Sequence, residues 1–370
     1  MAIVYLHIGS PKTATSTLQH VLASNHERLL KQSVLYPGDL RHGDAHHLLA
    51  CDLVEKYQGS PMPDIWYGPC PRGQAWQSLL AEIERHKHNI HSVVISSEIF
   101  FAQSNNLAAI LADITDYLQG HEIRVIAYLR RQDQLYSSFY NQDVKGIRQW
   151  PDSAYQFYET HQIFMQDYYT LLNSWGNALG KEQIIIRPFE AQQWMGGDIV
   201  RDFCNLVGVD PLGAKYRQNE DALGATQLYI KQCLNKVGYD KSRNDEVLAI
   251  IFKLCPEQSA NDCVYVHPGL YRKYREQWLH ANRCLEAEYL EGRSLFSQSI
   301  PLAKDLSIYK IDKSRAAGFA QSIFRVLDKG KYPDYRELFA KATLIMLAEQ
   351  DLWQALQPEE RAALLGWIGS

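Results

Sequence analysis

The chain has 370 residues, 38 Lys plus Arg against 42 Asp plus Glu, and a formal net charge of −4. With 46% hydrophobic and 22% charged residues its composition is ordinary for a globular protein, and it is long enough for two domains or for one elaborated α/β domain. The near-neutral balance excludes a broadly basic nucleic-acid coat or a polybasic membrane binder, so an anionic partner has to be held by a local cluster.

The first residues, Met1 to Gly9, lack the basic flank and small-residue cleavage site of a signal peptide and read as a buried strand over 3–8. Further apolar runs rich in Val and Ile fall at 34–36, 93–95, 125–129 and 184–186. They do not alternate with polar residues, the pattern of parallel strands buried on both faces. Helical periodicity between them predicts helices near 15–31, 45–56, 73–89, 105–119, 132–146 and 164–179. The stretch 59–77, with its prolines, glycines and large aromatics, reads as an irregular loop. Beyond about residue 198 the strand signal fades, and 222–238, 243–255, 268–290 and 335–365 read as amphipathic helices. The expected fold class is α/β, a central parallel sheet flanked by helices over residues 1–235 with a mainly helical C-terminal extension over 236–370.

Cysteine usage points to a reducing compartment, and a cytoplasmic location is the expectation. The seven cysteines are scattered and form no Cys-x-x-Cys pair, which indicates neither a disulfide framework nor a zinc ribbon. No stretch approaches the roughly 20 apolar residues that span a bilayer.

The segment Gly9-Ser10-Pro11-Lys12-Thr13-Ala14-Thr15-Ser16-Thr17 joins the first strand to the first helix. A helix start offers unpaired N–H groups and a partial positive charge, so an anion is favoured there. Lys12 adds a full charge, and Thr13, Thr15, Ser16 and Thr17 supply hydroxyl donors. The Gly-x-x-x-x-Gly-Lys-Ser/Thr pattern of a nucleotide-hydrolysing loop is absent here. Gly176 to Lys181 imitates it with the wrong spacing and a glutamate in place of the hydroxyl. At the end of the fourth apolar run stands Leu129-Arg130-Arg131-Gln132-Asp133, with Ser138 in the helix that follows. An arginine at a strand end is delivered to the crevice of an α/β sheet, and its fork matches phosphate oxygens. Arg131 is expected to face solvent or a carboxylate, and to take over the grip on the anion if the strand ends one residue later.

The segment 11–18 resembles the 5′-phosphosulfate-binding loop of sulfotransferases that use 3′-phosphoadenosine-5′-phosphosulfate (PAPS), whose pattern is Pro-Lys-Ser/Thr-Gly-Thr-Thr. The likeness is closest to bacterial, carbohydrate-sulfotransferase-like members and extends through His7 to Thr13, Ser96-Ser97-Glu98 and Arg130 to Asp133. It departs at Ala14, where glycine is usual, and an alanine there implies a helical-region φ. The resemblance implies a P-loop-NTPase-like fold, PAPS or its product 3′,5′-ADP on Lys12, Thr13, Ala14, Thr15, Ser16 and Thr17, and the 3′-phosphate on Arg130 and Ser138. It implies sulfuryl transfer to a hydroxyl of a saccharide, glycolipid or small metabolite, with Lys12 beside the leaving oxygen.

Removal of the acceptor's proton needs a His or a carboxylate within about 3 Å. His46, just before a predicted helix, is the first candidate, His47 the second, and Glu98 after the third strand the carboxylate alternative. Trp66, Tyr67 and Arg72 in the irregular loop, with Trp76 just beyond them, are candidates for contact with the acceptor. The histidine sets 42, 46, 47 and 86, 88, 91 lack accompanying carboxylates or thiolates, so no metal is expected. A kinase-like phosphotransferase and a non-catalytic glycan-binding member of the sulfotransferase fold are the alternatives.

Overall fold

Runs of Val and Ile with no polar alternation need cover on both faces, and a parallel sheet between helices supplies it. The computed structural model describes residues 1–59, 70–101, 106–161, 167–213, 222–256, 268–302, 322–323, 327, 332–349 and 353–368. Ile3–His7 (β1), Val34–Leu35 (β2), Ser92–Ser96 (β3), Glu122–Leu129 (β4) and Ile184–Pro188 (β5) pair in parallel in the order β2-β3-β1-β4-β5. β1 is central: His7 stands opposite Ser96 on one side and Ile126 on the other. The loop leaving β1 therefore emerges where the chain's connections diverge to the two sides of the sheet, the place where open α/β sheets bind ligands.

The helices are α1 (Thr15–Ser24), α2 (His26–Lys31), α3 (His47–Gln58), α4 (Ala75–His86), α5 (Leu107–Tyr117), α6 (Gln132–Lys145), α7 (Ala154–Thr160), α8 (Tyr168–Leu179), α9 (Ile199–Val207), α10 (Ala225–Val237), α11 (Asn244–Leu254) and α12 (Pro268–Tyr289). The stretch expected as one helix over 335–365 holds two, Arg336–Glu349 and Pro358–Ile368. Pro358 explains the second start, since a proline has no N–H to give a preceding turn but suits the first helical position. No helix among the described residues is long and apolar enough to cross a membrane.

The chain divides into two compact units. The first comprises Met1–Gln132, Met165–Gln218 and Tyr274–Ile300 and contains the whole sheet. One of its cores is built from the apolar stripe Leu18, Val21 and Leu22 of α1, the sheet residues Tyr5, Val94, Ile126 and Tyr128, and Phe203 and Val207 of α9. Burying each such side chain is worth about 1.5–3 kcal/mol, which explains why the i, i+3, i+4 spacing on α1 sets the face it turns to the sheet. A buried ionic tie supports that face: Asp202 on α9 accepts from Tyr128 Oη (2.7 Å), the Met195 amide (3.0 Å) and Arg187 Nε of β5 (3.0 Å).

The second unit comprises Asp133–Phe164, Asn219–Lys273 and Pro301–Ser370, so it takes in a stretch that the sequence expectation placed with the first 235 residues. Its core joins Ile230 and Leu234 of α10, Val247, Ile250 and Ile251 of α11, and Phe339, Met346 and Leu347. Within it Lys231 is fully buried and donates to the Val144 carbonyl (3.0 Å), which Asn235 also reaches (2.9 Å). That carbonyl belongs to the last turn of α6, where helices lack acceptor partners of their own. Among the described residues the cysteines are all free, and five of the six are buried.

Candidate functional site

The loop after β1 is bent into the left-handed region three times, at Gly9 (φ 68°), Lys12 (φ 66°) and Ala14 (φ 58°). Ala14 thus corrects the sequence expectation of a helical-region φ. Its Cβ is carried in a conformation that costs an L-residue about 1–2 kcal/mol, and the rest of the loop imposes it. Thr13 is fully buried and donates Oγ1 to the Ser10 carbonyl (2.5 Å). Gly9 faces a wall: a Cβ there would lie 2.9 Å from Thr15 Cγ2 and 3.2 Å from Glu98 Cβ. Successive amides in alternating conformations form a concavity that attracts anions, and here it opens onto the N-terminus of α1. Thr15 is buried, Thr17 half-buried and Ser16 exposed at the helix start.

Arg130 directly follows β4 and reaches the same loop, its Nη1 donating to the Lys12 carbonyl (3.2 Å) with the guanidinium over the Phe189 ring at 5.7 Å. The strand end is held from behind. Tyr168 donates to the Arg130 carbonyl (2.7 Å), and the buried amides of Gln132 and Asn282 exchange hydrogen bonds (2.7 and 3.2 Å). Arg131 is buried, so it does not face solvent, the first of its two expected settings. Ser138 lies on α6 in the second unit and is half-buried.

The three proton-acceptor candidates occupy different environments. His46 has no exposed surface; its Nδ1 accepts from the Ser96 amide (3.0 Å), so Nε2 carries the hydrogen and donates to the Pro37 carbonyl (2.9 Å). Burial pushes its pKa down to about 3. Both ring nitrogens are spent on tying the chain after β2 to β3, so the first candidate by sequence is a structural residue with no nitrogen left for a substrate proton. His47 opens α3 with Nδ1 2.9 Å from Ser97 Oγ and Nε2 3.9 Å from Glu98 Oε1. Its pKa is lowered by burial, a shift that the nearby Glu98 opposes. Glu98 is the most open of the three, with 26% side-chain exposure. It stands two residues past the end of β3, against Gly9 of the loop.

The structure thus brings Lys12, Thr13, Ala14, Thr15, Arg130, His47 and Glu98 together past the C-terminal ends of β1, β3 and β4. Arg72 stands elsewhere, in an ion pair with Glu55 at the wall of a cavity of about 450 Å³ beside α3. Trp76, in the same wall, is buried, stacks on Tyr117 at 4.9 Å and donates to the Leu49 carbonyl (3.0 Å). It fastens α4 to α3 and leaves no free face for a ligand. Trp66 and Tyr67 lie outside the described residues. Sequence reasoning passed over Gln19, which donates to Glu98 Oε2 at 2.9 Å. Its only signal was its position one turn after Thr15, on the same face of α1.

No protein-family model matches the chain, and no solved structure matches it. An uncharacterized protein of Archaeoglobus fulgidus is 24% identical over 207 residues, 55% of this chain and 55% of that one. The chain therefore spans about half the length of that relative.

Proposed function

We propose that the chain is a sulfotransferase that moves a sulfuryl group from PAPS to a hydroxyl of a saccharide, glycolipid or small metabolite. One observation carries the reading: a loop with three left-handed residues heads α1, while Arg130 and Glu98 converge on that same loop. A loop bent three times into the left-handed region and bordered by two cations fits a donor with a phosphosulfate at one end. PAPS supplies an activated sulfuryl group whose leaving oxygen is a phosphate.

In this reading the loop amides and Lys12 hold the phosphosulfate end and stabilise charge as it grows on the leaving phosphate oxygen. Arg130 takes the 3′-phosphate. Glu98 takes the acceptor's proton as the new S–O bond forms and the S–O bond to phosphate breaks. His47 stands beside it, its Nε2 3.9 Å from Glu98 Oε1. The sheet order and the loop at its centre are what support a sulfotransferase-type fold.

The test is release of 3′,5′-ADP on incubation with PAPS and a hydroxylated acceptor pool. Lys12→Ala is expected to abolish release while circular dichroism stays unchanged. Undiminished turnover in Lys12→Ala would sink the assignment of the loop. Binding of 3′,5′-ADP with no turnover on any acceptor would mark a non-catalytic module.

A further inference from the structure

The stretch between β2 and α3 is tightly built, and the acids around it are already engaged. The buried Glu82 accepts from the amides of Gly38 (2.8 Å) and Asp39 (3.3 Å). Asp39 pairs with Arg85, and Asp44 with His20 Nδ1 (2.9 Å). His42 and Ala45 exchange backbone hydrogen bonds (2.8 and 3.1 Å), and the buried Tyr36 donates Oη to the Asp44 carbonyl (2.7 Å). One cation of this stretch is left over. Arg41 is half-buried, its guanidinium over the Tyr36 ring at 5.7 Å, and among the described residues it makes neither an ion pair nor a hydrogen bond. Its Nε is out of water with no acceptor. A guanidinium has five donors and a permanent charge, so partial burial without an acceptor is costly unless a ligand supplies one.

The sheet order β2-β3-β1-β4 sets Arg41 past β2, Glu98 past β3, Lys12 past β1 and Arg130 past β4. The two cations assigned to the donor thus lie on one side of Glu98, and Arg41 lies on the other. Tyr36 stands between: its ring meets the His46 ring at 4.5 Å, and its phenol, whose pKa burial raises, feels the charges of both Arg41 and Glu98. We infer that Arg41 binds a carboxylate of the acceptor, so that the substrate is a hydroxylated acid with its hydroxyl presented to Glu98. The kinetic side of this inference rests on the sulfotransferase reading; the binding side rests on the geometry alone. A planar fork suits a planar carboxylate, and an uncharged analogue would leave the guanidinium unmet.

The test uses the full chain and two hydroxy acids, glucuronate and p-hydroxyphenylpropionate, each against its uncharged methyl ester. Calorimetry with 3′,5′-ADP present reads acceptor binding, and release of 3′,5′-ADP from PAPS reads turnover. Wild type is expected to prefer at least one acid over its ester by about tenfold, in Kd and in kcat/KM. Arg41→Met, which keeps a stem over Tyr36, should bring acid and ester to equal affinity, with 3′,5′-ADP binding and the urea midpoint unchanged. Arg41→Lys, which keeps the charge and loses the fork, should retain part of the preference. No preference for either acid in wild type overturns the proposal, and so does a preference that survives in Arg41→Met. Weaker 3′,5′-ADP binding in Arg41→Met would place the residue on the donor and overturn it too. If the acid is preferred only with Arg41 present and no protein turns over PAPS, the carboxylate site stands and the sulfotransferase reading falls. If wild type turns over acid and ester alike, that reading stands and the role of Arg41 falls.

Discussion

Ala14 shows what the loop conformation costs and what imposes it. A non-glycine residue at φ 58° is strained, and strain of about 1–3 kcal/mol persists only where surroundings over-determine the backbone. Here the Thr13 hydroxyl on the Ser10 carbonyl and the packing of Gly9 against Thr15 and Glu98 supply that constraint. Ala14→Gly is therefore expected to leave the urea midpoint unchanged or slightly higher, since relief of the Cβ contact offsets glycine's greater backbone entropy. Ala14→Val, β-branched in a left-handed site, should lower stability by roughly 2 kcal/mol. His46 carries a pH signature. Its pKa is about 3 in the folded chain against 6.5 ordinarily, so between those values the unfolded chain binds a proton that the folded ring does not. Stability accordingly falls as pH drops below 6.5, by roughly 2 kcal/mol at pH 5 from this ring alone. Urea midpoints at pH 7 and pH 5 should converge in His46→Gln relative to wild type. Neither feature was readable from the chain. The sequence alone argues for a right-handed Ala14, and of the partners of His46 the Pro37 carbonyl lies nine residues back while the Ser96 amide lies fifty residues on, in another strand.

At the scale of elements the strands were legible because a Val- and Ile-rich run without alternation has few other homes, and all five expected runs are strands of one sheet. Boundaries were less so: β4 begins at Glu122, where polar residues at the sheet's lower edge mask the apolar pattern. The ties between elements were not legible at all. Asp202 holds β4, β5 and the approach to α9 through Tyr128, Arg187 and the Met195 amide. Removing one partner of a buried ionic group leaves the rest uncompensated, so Asp202→Ala should cost about 3–5 kcal/mol in chemical denaturation. In the second unit, burial depresses the Lys231 amine to about 7 from 10.5. Below about 7 the amine is charged in both folded and unfolded chains, and the fold bears the full cost. Between about 7 and 10.5 the folded chain sheds the proton first, so stability rises with pH by up to ~1.4 kcal/mol per unit. Lys231→Met should remove that rise, measured as urea midpoints at pH 7 and pH 9. A slope equal to wild type would contradict the burial account.

For the whole molecule the net charge of −4 set the problem. A donor bearing about four negative charges can bind a negative protein only where cations and N–H dipoles are concentrated. The first unit concentrates them on one loop, through Lys12, Arg130 and the start of α1. Calorimetric titration with 3′,5′-ADP tests this most directly, run on wild type, Lys12→Ala and Arg130→Ala, with ATP and Mg²⁺ as competitor. Saturable 1:1 binding is predicted for the wild type, resistant to ATP, weakening as salt screens the attraction, and lost or at least tenfold weaker in both variants. Wild-type binding of ATP and Mg²⁺ in preference to 3′,5′-ADP, or equal affinity in all three proteins, would contradict the account.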